Sequence, residues 1–281
     1  MMPDYYESLV VGPLQSIALD GKGEVKILCK GTDSVYGFDG GNKLLVVSVH
    51  HANEIYGTYQ SILQALYAGI KINAVPVVNT KGFNIMHGDI ELSRKSSDGN
   101  ERLFYKLLND CLSVNGYNSP CLSEIIYPEW SDFNYGGHAK PEHIAGIEEM
   151  VLESSGVIDL HNCSFGSYIM ITEPLDDAVE NPEQKDLQAE MEHTLKDSIK
   201  RNGNFLRTGT MLGYNTARKG IYTSGLNNPT LIKFAAMHGI PNVCIEIPAF
   251  DCDRNGYFPV DSERILATSI ESLSRIAGMF K

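Results

Sequence analysis

Residues 46–62 read VVSVHHANEIYGTYQSI, and they carry the pattern from which the rest of the chain is interpreted. The apolar run VVSV stops abruptly at two histidines, and Glu54 follows His51 by three residues. Apolar residues then recur at helical spacing over residues 53–68. A buried strand that ends on imidazoles and a carboxylate before a helix predicts a ligand site at the carboxyl end of that strand.

Strand-like and helix-like segments alternate along the chain. The predicted strands cover residues 24–29, 43–49, 72–78, 157–160 and 242–247, and the predicted helices cover 53–68, 102–112, 141–153, 181–201, 229–238 and 262–279. This alternation predicts an α/β fold with a mixed, mostly parallel sheet and helices on both faces. Without an internal repeat or a low-complexity linker, residues 1–281 are predicted to form one domain, with residues 1–42 as a candidate N-terminal extension that contains a hairpin.

Composition and charge exclude several classes of protein. The 281 residues are 43% hydrophobic and 21% charged, which is ordinary for a globular protein. A net charge of −12 argues against a nucleic-acid partner, and no apolar run is long enough to span a membrane. The first residues carry acids where a signal peptide needs a basic start, so we expect a cytoplasmic protein whose six cysteines are reduced.

Three of the predicted strands end on residues that coordinate metals or exchange protons. His51 follows the second strand, His161 follows the fourth, and Glu246 lies in the last. Catalytic zinc commonly has three protein ligands, often two histidines and one carboxylate. His51, Glu54 and His161 are therefore predicted to hold one Zn²⁺ per chain, and Glu246 is the candidate general base.

Each of these residues also has a structural interpretation. A histidine at a strand end is often simply hydrogen-bonded, and a histidine three residues before a glutamate occurs by chance. Glu246 could be a paired surface acid, although its neighbours are apolar. His50 is predicted to face away from His51 and to be structural, and Cys163 is predicted to be a buried thiol.

Four short motifs resemble one known family. They are HANE (51–54), PVVNTKGF (76–83), DLHN (159–162) and CIEIP (244–248). In this order they resemble the motifs of the zinc carboxypeptidases of the carboxypeptidase A type, and of the related aspartoacylase and succinylglutamate desuccinylase group. The resemblance covers roughly residues 44–275, and it implies the same fold, the same three zinc ligands and the same late glutamate as general base.

Further site residues are implied by the resemblance alone. Arg94 lies where the family has an arginine that polarises the scissile carbonyl. Asn134 is kept within the family's "DLNR" segment, but Tyr135 replaces the arginine that binds a free substrate carboxylate. Tyr222 lies in a segment similar to the flexible loop that carries the family's substrate-capping tyrosine. Arg218 and Lys219 are the nearest candidates to replace the missing cation, with surface charges as the alternative interpretation.

The resemblance implies a zinc metallopeptidase that acts on a small peptide or an acylated amino acid, with murein peptides among the candidate substrates. The motifs HANE and DLHN also suit an N-acyl-amino-acid deacylase, whereas the segment 221–225 and the continuous α/β pattern suit a carboxypeptidase. A metal-binding protein that has lost activity is the non-enzymatic alternative, because Tyr135 departs from the family pattern. No oligomeric state is predicted.

Overall fold

A computed structural model describes most of the chain. The described residues are 4–30, 34–52, 54–55, 57–87, 141–163, 168–175, 181–203, 214–218, 221–224, 230–248, 250–253, 256–259 and 262–280. Within them, nine strands form one sheet and two more form a separate hairpin. No helix in these ranges has the length and apolar composition that crossing a membrane requires.

The sheet has a parallel centre and mixed edges. Its strands are β1 Glu24–Cys29, β2 Val35–Asp39, β3 Leu44–Ser48, β4 Asn73–Val75, β5 Gly156–Cys163, β6 Ile169–Thr172, β7 Tyr214–Arg218, β8 Ile221–Ser224 and β9 Asn242–Pro248, and the hairpin is β10 Phe250–Asp253 with β11 Gly256–Pro259. The order across the sheet is β1-β2-β4-β3-β5-β9-β6-β8-β7. Strands β4, β3, β5 and β9 are mutually parallel, so their carboxyl ends lie at one edge.

Helices cover both faces of this sheet. They are α1 Gly12–Leu19 after a π turn at Glu7–Val11, α2 Thr58–Tyr67, α3 over residues 80–87, α4 Glu142–Leu152, α5 Pro182–Arg201, α6 Leu231–Met237 and α7 Ser262–Ala277. Residues of α1, α2, α5 and α7 belong to the same hydrophobic cluster as Leu44 and Val46 of β3, whereas residues of α4 and α6 belong to a second cluster with Leu45 and Val47. Alternate residues of the strand are thus buried on opposite faces, and the predicted α/β fold class is confirmed.

The structure differs from the predicted elements near the candidate ligands. The helix predicted from residue 53 begins at Thr58, after Gly57, whose φ of 76° suits glycine and interrupts the helical pattern. The strand predicted over residues 72–78 is only Asn73–Val75, and an unpredicted helix follows at residues 80–87. The Asn79 side chain accepts a hydrogen bond from the Gly82 N–H at 3.0 Å and so caps that helix. The helix predicted over 102–112 lies outside the described residues.

Candidate metal centre

Strand β3 ends in a backbone turn that redirects the two histidines. Val49 is fully buried and has a φ of 53°, a left-handed conformation that costs a β-branched residue about 1–3 kcal/mol. The turn is held because the carbonyls of Ser48 and Val49 accept hydrogen bonds from Val78 N and Asn79 N at 3.2 and 3.0 Å. The alternation of a regular strand therefore ends before His50.

The three predicted ligands converge on one point at the carboxyl edge of the sheet. His51 Nδ1 lies 2.9 Å from Glu54 Oε1, and His161 Nδ1 lies 2.6 Å from Glu54 Oε2. One donor atom from each residue lies within 4.8 Å of the other two. The ligands keep a small exposed fraction of 11–15% of their side chains, so the cluster opens to solvent on one side.

The electrostatics of the cluster suit a cation. Burial favours the neutral form of Glu54 and so raises its pKa. The positive charges of His51 and His161, and the hydrogen bonds that they form with Glu54, outweigh burial and lower the pKa of Glu54 to about 2. The carboxylate is therefore ionised at neutral pH. Two imidazole nitrogens and one carboxylate, with an open side, form a donor set that zinc commonly binds in catalytic sites, so these residues fit the ion.

Glu246 lies beside this cluster on the neighbouring strand. In the parallel pairing of β5 and β9, Glu246 is the partner of His161, so the two side chains lie on the same face. Burial raises the pKa of Glu246 to about 8, and the negative charge of Glu54 adds to this, while His161 and His51 oppose it. A carboxyl group whose pKa lies near neutrality is suited to accepting and returning a proton.

Two further polar side chains lie behind His161. Asp159 Oδ2 is 3.1 Å from His161 Nε2, and Asp159 Oδ1 is 3.0 Å from His50 Nε2. The His50 ring stacks on that of His161 with centroids 5.4 Å apart and an interplanar angle of 3°. The prediction that His50 faces away from His51 assumed that the strand continues, whereas the strand ends at Ser48 and the turn at Val49 follows, so that alternation does not apply to His50.

The contact between Asp159 and His161 could have been predicted from the sequence, although the predicted ligand site did not include Asp159. Two residues separated by one position on a strand share a face, and Asp159 and His161 stand in that relation in DLHN. No local signal places His50 in this group, because its position depends on the turn at Val49.

The predicted substrate-binding residues are placed only in part. Arg94, Asn134, Tyr135 and Lys219 lie outside the described residues. The segment that contains Tyr222, which resembles the family's flexible loop in sequence, forms strand β8 and pairs with β6 and β7, so its backbone is held by ladder hydrogen bonds. The substrate-binding role of Tyr222 stays a prediction.

The end of β7 lies on the same edge of the sheet as the metal cluster. Strand β6 runs antiparallel to β9, with Ile169 opposite Glu246. Strand β8 begins beside that end of β6, next to its turn from β7. The backbone of Arg218, the last residue of β7, is therefore at the carboxyl edge of the central strands. Its role as a replacement cation stays a prediction.

Gly82 sets how closely helix α3 approaches the ligand loop. A Cβ on Gly82 would lie only 2.3 Å from the Cβ of Ala52. In the sequence, Ala52 lies between the predicted ligands His51 and Glu54. Replacing a helical glycine with alanine usually stabilises by up to about 1 kcal/mol. We expect Gly82→Ala instead to destabilise the protein by about 1–3 kcal/mol, because the overpacking exceeds that gain. Urea denaturation measures this change.

Gly12→Ala is the matched control for this prediction. Gly12 also lies in the first turn of a helix, with a φ of −57°, but the nearest atom to an added Cβ, the Glu7 carbonyl oxygen, lies at 3.4 Å. This variant should be neutral or slightly stabilised. Equal stability of both variants would show that α3 does not constrain the ligand loop.

Zinc affinity is expected to rise with pH. Burial lowers the pKa of His161, but the carboxylates of Asp159 and Glu54 outweigh it and hold that pKa well above its usual value. Below this pKa a bound ion must displace a proton from His161, whereas Glu54 is already ionised. The apparent Kd should therefore fall by about tenfold per pH unit near neutrality, the slope for release of one proton. Chelator competition at three pH values measures it, and a flat profile would contradict this assignment.

No family model and no curated protein sequence matches the chain. Solved structures match it over nearly its whole length. A candidate metallopeptidase from Shewanella denitrificans OS217 is 12% identical with a TM-score of 0.61, over 98% of this chain and 89% of that one. A metallo-carboxypeptidase from Burkholderia cenocepacia is 12% identical with a TM-score of 0.58, over 97% and 68%. A metallo-carboxypeptidase from Pseudomonas aeruginosa, in complex with (2-guanidinoethylmercapto)succinic acid, is 16% identical with a TM-score of 0.53, over 96% and 68%. The chain thus has the zinc carboxypeptidase-like fold that its motifs predicted.

Proposed function

We propose that this protein is a zinc-dependent hydrolase that cleaves a peptide or amide bond. The observation that carries the proposal is the convergence of His51 Nδ1, His161 Nδ1 and the Glu54 carboxylate beside Glu246. Zinc bound by these three residues would act as a Lewis acid and lower the pKa of its water toward about 7. The fold shared with metallo-carboxypeptidases supports the same class of chemistry.

In the proposed reaction, some side chains of the site bind the ion and another transfers a proton. Glu54 carries its negative charge without a change of protonation, because its pKa is about 2. Glu246 takes the proton from the attacking water and delivers it to the leaving nitrogen, a task for which its raised pKa is suited. Arg94 is proposed to polarise the scissile carbonyl.

The substrate is proposed to be a small peptide or an acylated amino acid, with murein peptides as one candidate. Tyrosine cannot replace the charge or the bidentate fork of an arginine, so Tyr135 is not expected to bind a terminal carboxylate as an arginine would. Arg218 is the candidate replacement, because its backbone lies at the same edge of the sheet as Glu246. An N-acyl-amino-acid deacylase is the second candidate function, and the motifs HANE and DLHN favour it.

Activity is tested with the zinc-loaded protein on dipeptides, murein peptides and N-acyl amino acids. Zinc-dependent hydrolysis of at least one class is the expected result, and the class hydrolysed fastest separates peptidase from deacylase. Hydrolysis of none, by a protein that binds zinc, would favour the alternative of a metal-binding protein without activity.

Discrimination between a free and an amidated C-terminus tests the consequence of Tyr135. We expect kcat/KM on a peptide with a free apolar C-terminus to be low and close to that on its amidated twin, because a fixed cation at position 135 is missing. Tyr135→Arg should raise the preference for the free acid. A strong preference in the unchanged protein, lost in Arg218→Ala but not in Lys233→Ala on α6, would show that Arg218 already supplies the cation.

A further inference from the structure

A second layer of polar side chains, His50 and Asp159, lies behind the proposed zinc ligands. Only 1% of His50 and 4% of Asp159 is exposed. The Asp159 carboxylate lies between two imidazoles, with one oxygen 3.0 Å from His50 Nε2 and the other 3.1 Å from His161 Nε2. The proposed hydrolysis assigns no task to either residue.

We infer that Asp159 is a positioning residue that fixes the tautomer and the orientation of His161. Both ring nitrogens of His161 face carboxylate oxygens, which only accept hydrogen bonds: Nδ1 lies 2.6 Å from Glu54 Oε2, and Nε2 lies 3.1 Å from Asp159 Oδ2. An ion bound between His161 and Glu54 would take the place of the proton on Nδ1, and the remaining proton would then lie on Nε2, where the Asp159 carboxylate accepts it. This inference rests on the proposed function, since it assumes that His161 binds an ion through Nδ1.

His50 holds this arrangement from the other side. Its Nε2 faces the second Asp159 oxygen, which limits rotation of the carboxylate. Its ring also stacks on the His161 ring at 5.4 Å, which blocks rotation of that imidazole out of its plane. The backbone is equally constrained, because Asp159 is paired with Val47 of β3 and Cys244 of β9 in the centre of the sheet.

The same side chains could instead hold a second ion. One donor atom each from His50, Asp159 and His161 lies within 4.8 Å of the others. However, His50 and Asp159 are almost completely buried, whereas His51, Glu54 and His161 each keep some exposure. A support made of close contacts between side chains needs no route for an ion and no open coordination position, so the burial favours that role.

The experiment is zinc titration of the metal-free protein in competition with a chromophoric chelator. For Asp159→Asn we expect one ion per chain and an affinity about 10–100-fold weaker than in the unchanged protein, as is typical when the support of a ligand is lost. Asp197→Asn, on the exposed side of α5, is the control and should bind zinc normally. A merely structural role would lower the melting temperature of the metal-free Asp159→Asn variant without changing zinc affinity.

The outcomes separate this inference from the proposed function. Unchanged affinity in Asp159→Asn, together with loss of zinc in His161→Ala, would overturn the inference and leave the function standing. Absence of zinc binding in the unchanged protein would overturn the function. Two ions per chain, reduced to one by His50→Ala, would replace the positioning role with a second metal site.

A second measurement does not depend on the folding of a variant. In the zinc-loaded unchanged protein, nitrogen-15 NMR reports which nitrogen of His161 is protonated. We expect the proton on Nε2 and the ion on Nδ1. The reverse assignment would overturn the inference.

Discussion

Replacing Glu246 with glutamine is expected to lower kcat by about 10²- to 10⁴-fold, the usual contribution of a general base. Glutamine has nearly the same shape but cannot accept a proton from water and pass it to the leaving nitrogen. The three proposed zinc ligands are unchanged, so zinc content and melting temperature should stay close to those of the unchanged protein. Steady-state kinetics on the best substrate of the panel, with metal analysis of the same sample, measure both effects.

Glu263→Gln is a suitable control because Glu263 is an exposed carboxylate in the first turn of α7. Its kcat should not change. Near-normal turnover in Glu246→Gln would assign the base to another residue. Loss of zinc in that variant would instead show that Glu246 belongs to the ligand set.

Replacing His161 with alanine is expected to abolish tight zinc binding. His161 supplies one of the three donor atoms and also contacts both Glu54 and Asp159, so its loss removes a ligand and leaves two buried carboxylates without this partner. We expect metal content to fall from about one ion per chain to nearly none after dialysis, since catalytic zinc sites rely on three protein ligands. Elemental analysis of the dialysed protein measures this.

His193→Ala provides the matched control, because His193 is an exposed histidine of α5 and is not one of the predicted ligands. Its zinc content should equal that of the unchanged protein. Retention of a full equivalent of zinc by His161→Ala would remove His161 from the ligand set.

The centre of the fold could be predicted because its strands are buried on both faces. Leu44 to Val47 alternate between two hydrophobic layers, so the segment is continuously apolar and its type is unambiguous. The candidate site followed from the same property, since polar residues at the ends of parallel strands meet at one edge. His51, Glu54 and His161 were brought together in this way.

The remaining elements depend on contacts that local patterns do not contain. Strands β6, β7 and β8 are only four or five residues long. They are defined by the pairing of β6 with β9, of β8 with β6 and of β7 with β8, rather than by periodicity. Helix α3 begins in the polar sequence NTKG because Asn79 caps it and Gly82 allows close contact with Ala52. The contact of His50 with His161 could not be predicted, because Val49 adopts a left-handed conformation that hydrogen bonds to residues 78 and 79 maintain.

A crystal structure of the zinc-loaded protein, with anomalous diffraction recorded on both sides of the zinc absorption edge, tests the central claim most directly. We expect one strong anomalous peak per chain, within bonding distance of His51 Nδ1, the Glu54 carboxylate and His161 Nδ1, at the usual zinc–ligand distances of about 2.0–2.2 Å. A peak bound by His50 and Asp159 instead, or no peak at this edge of the sheet, would contradict the proposed metal centre and the hydrolytic function derived from it.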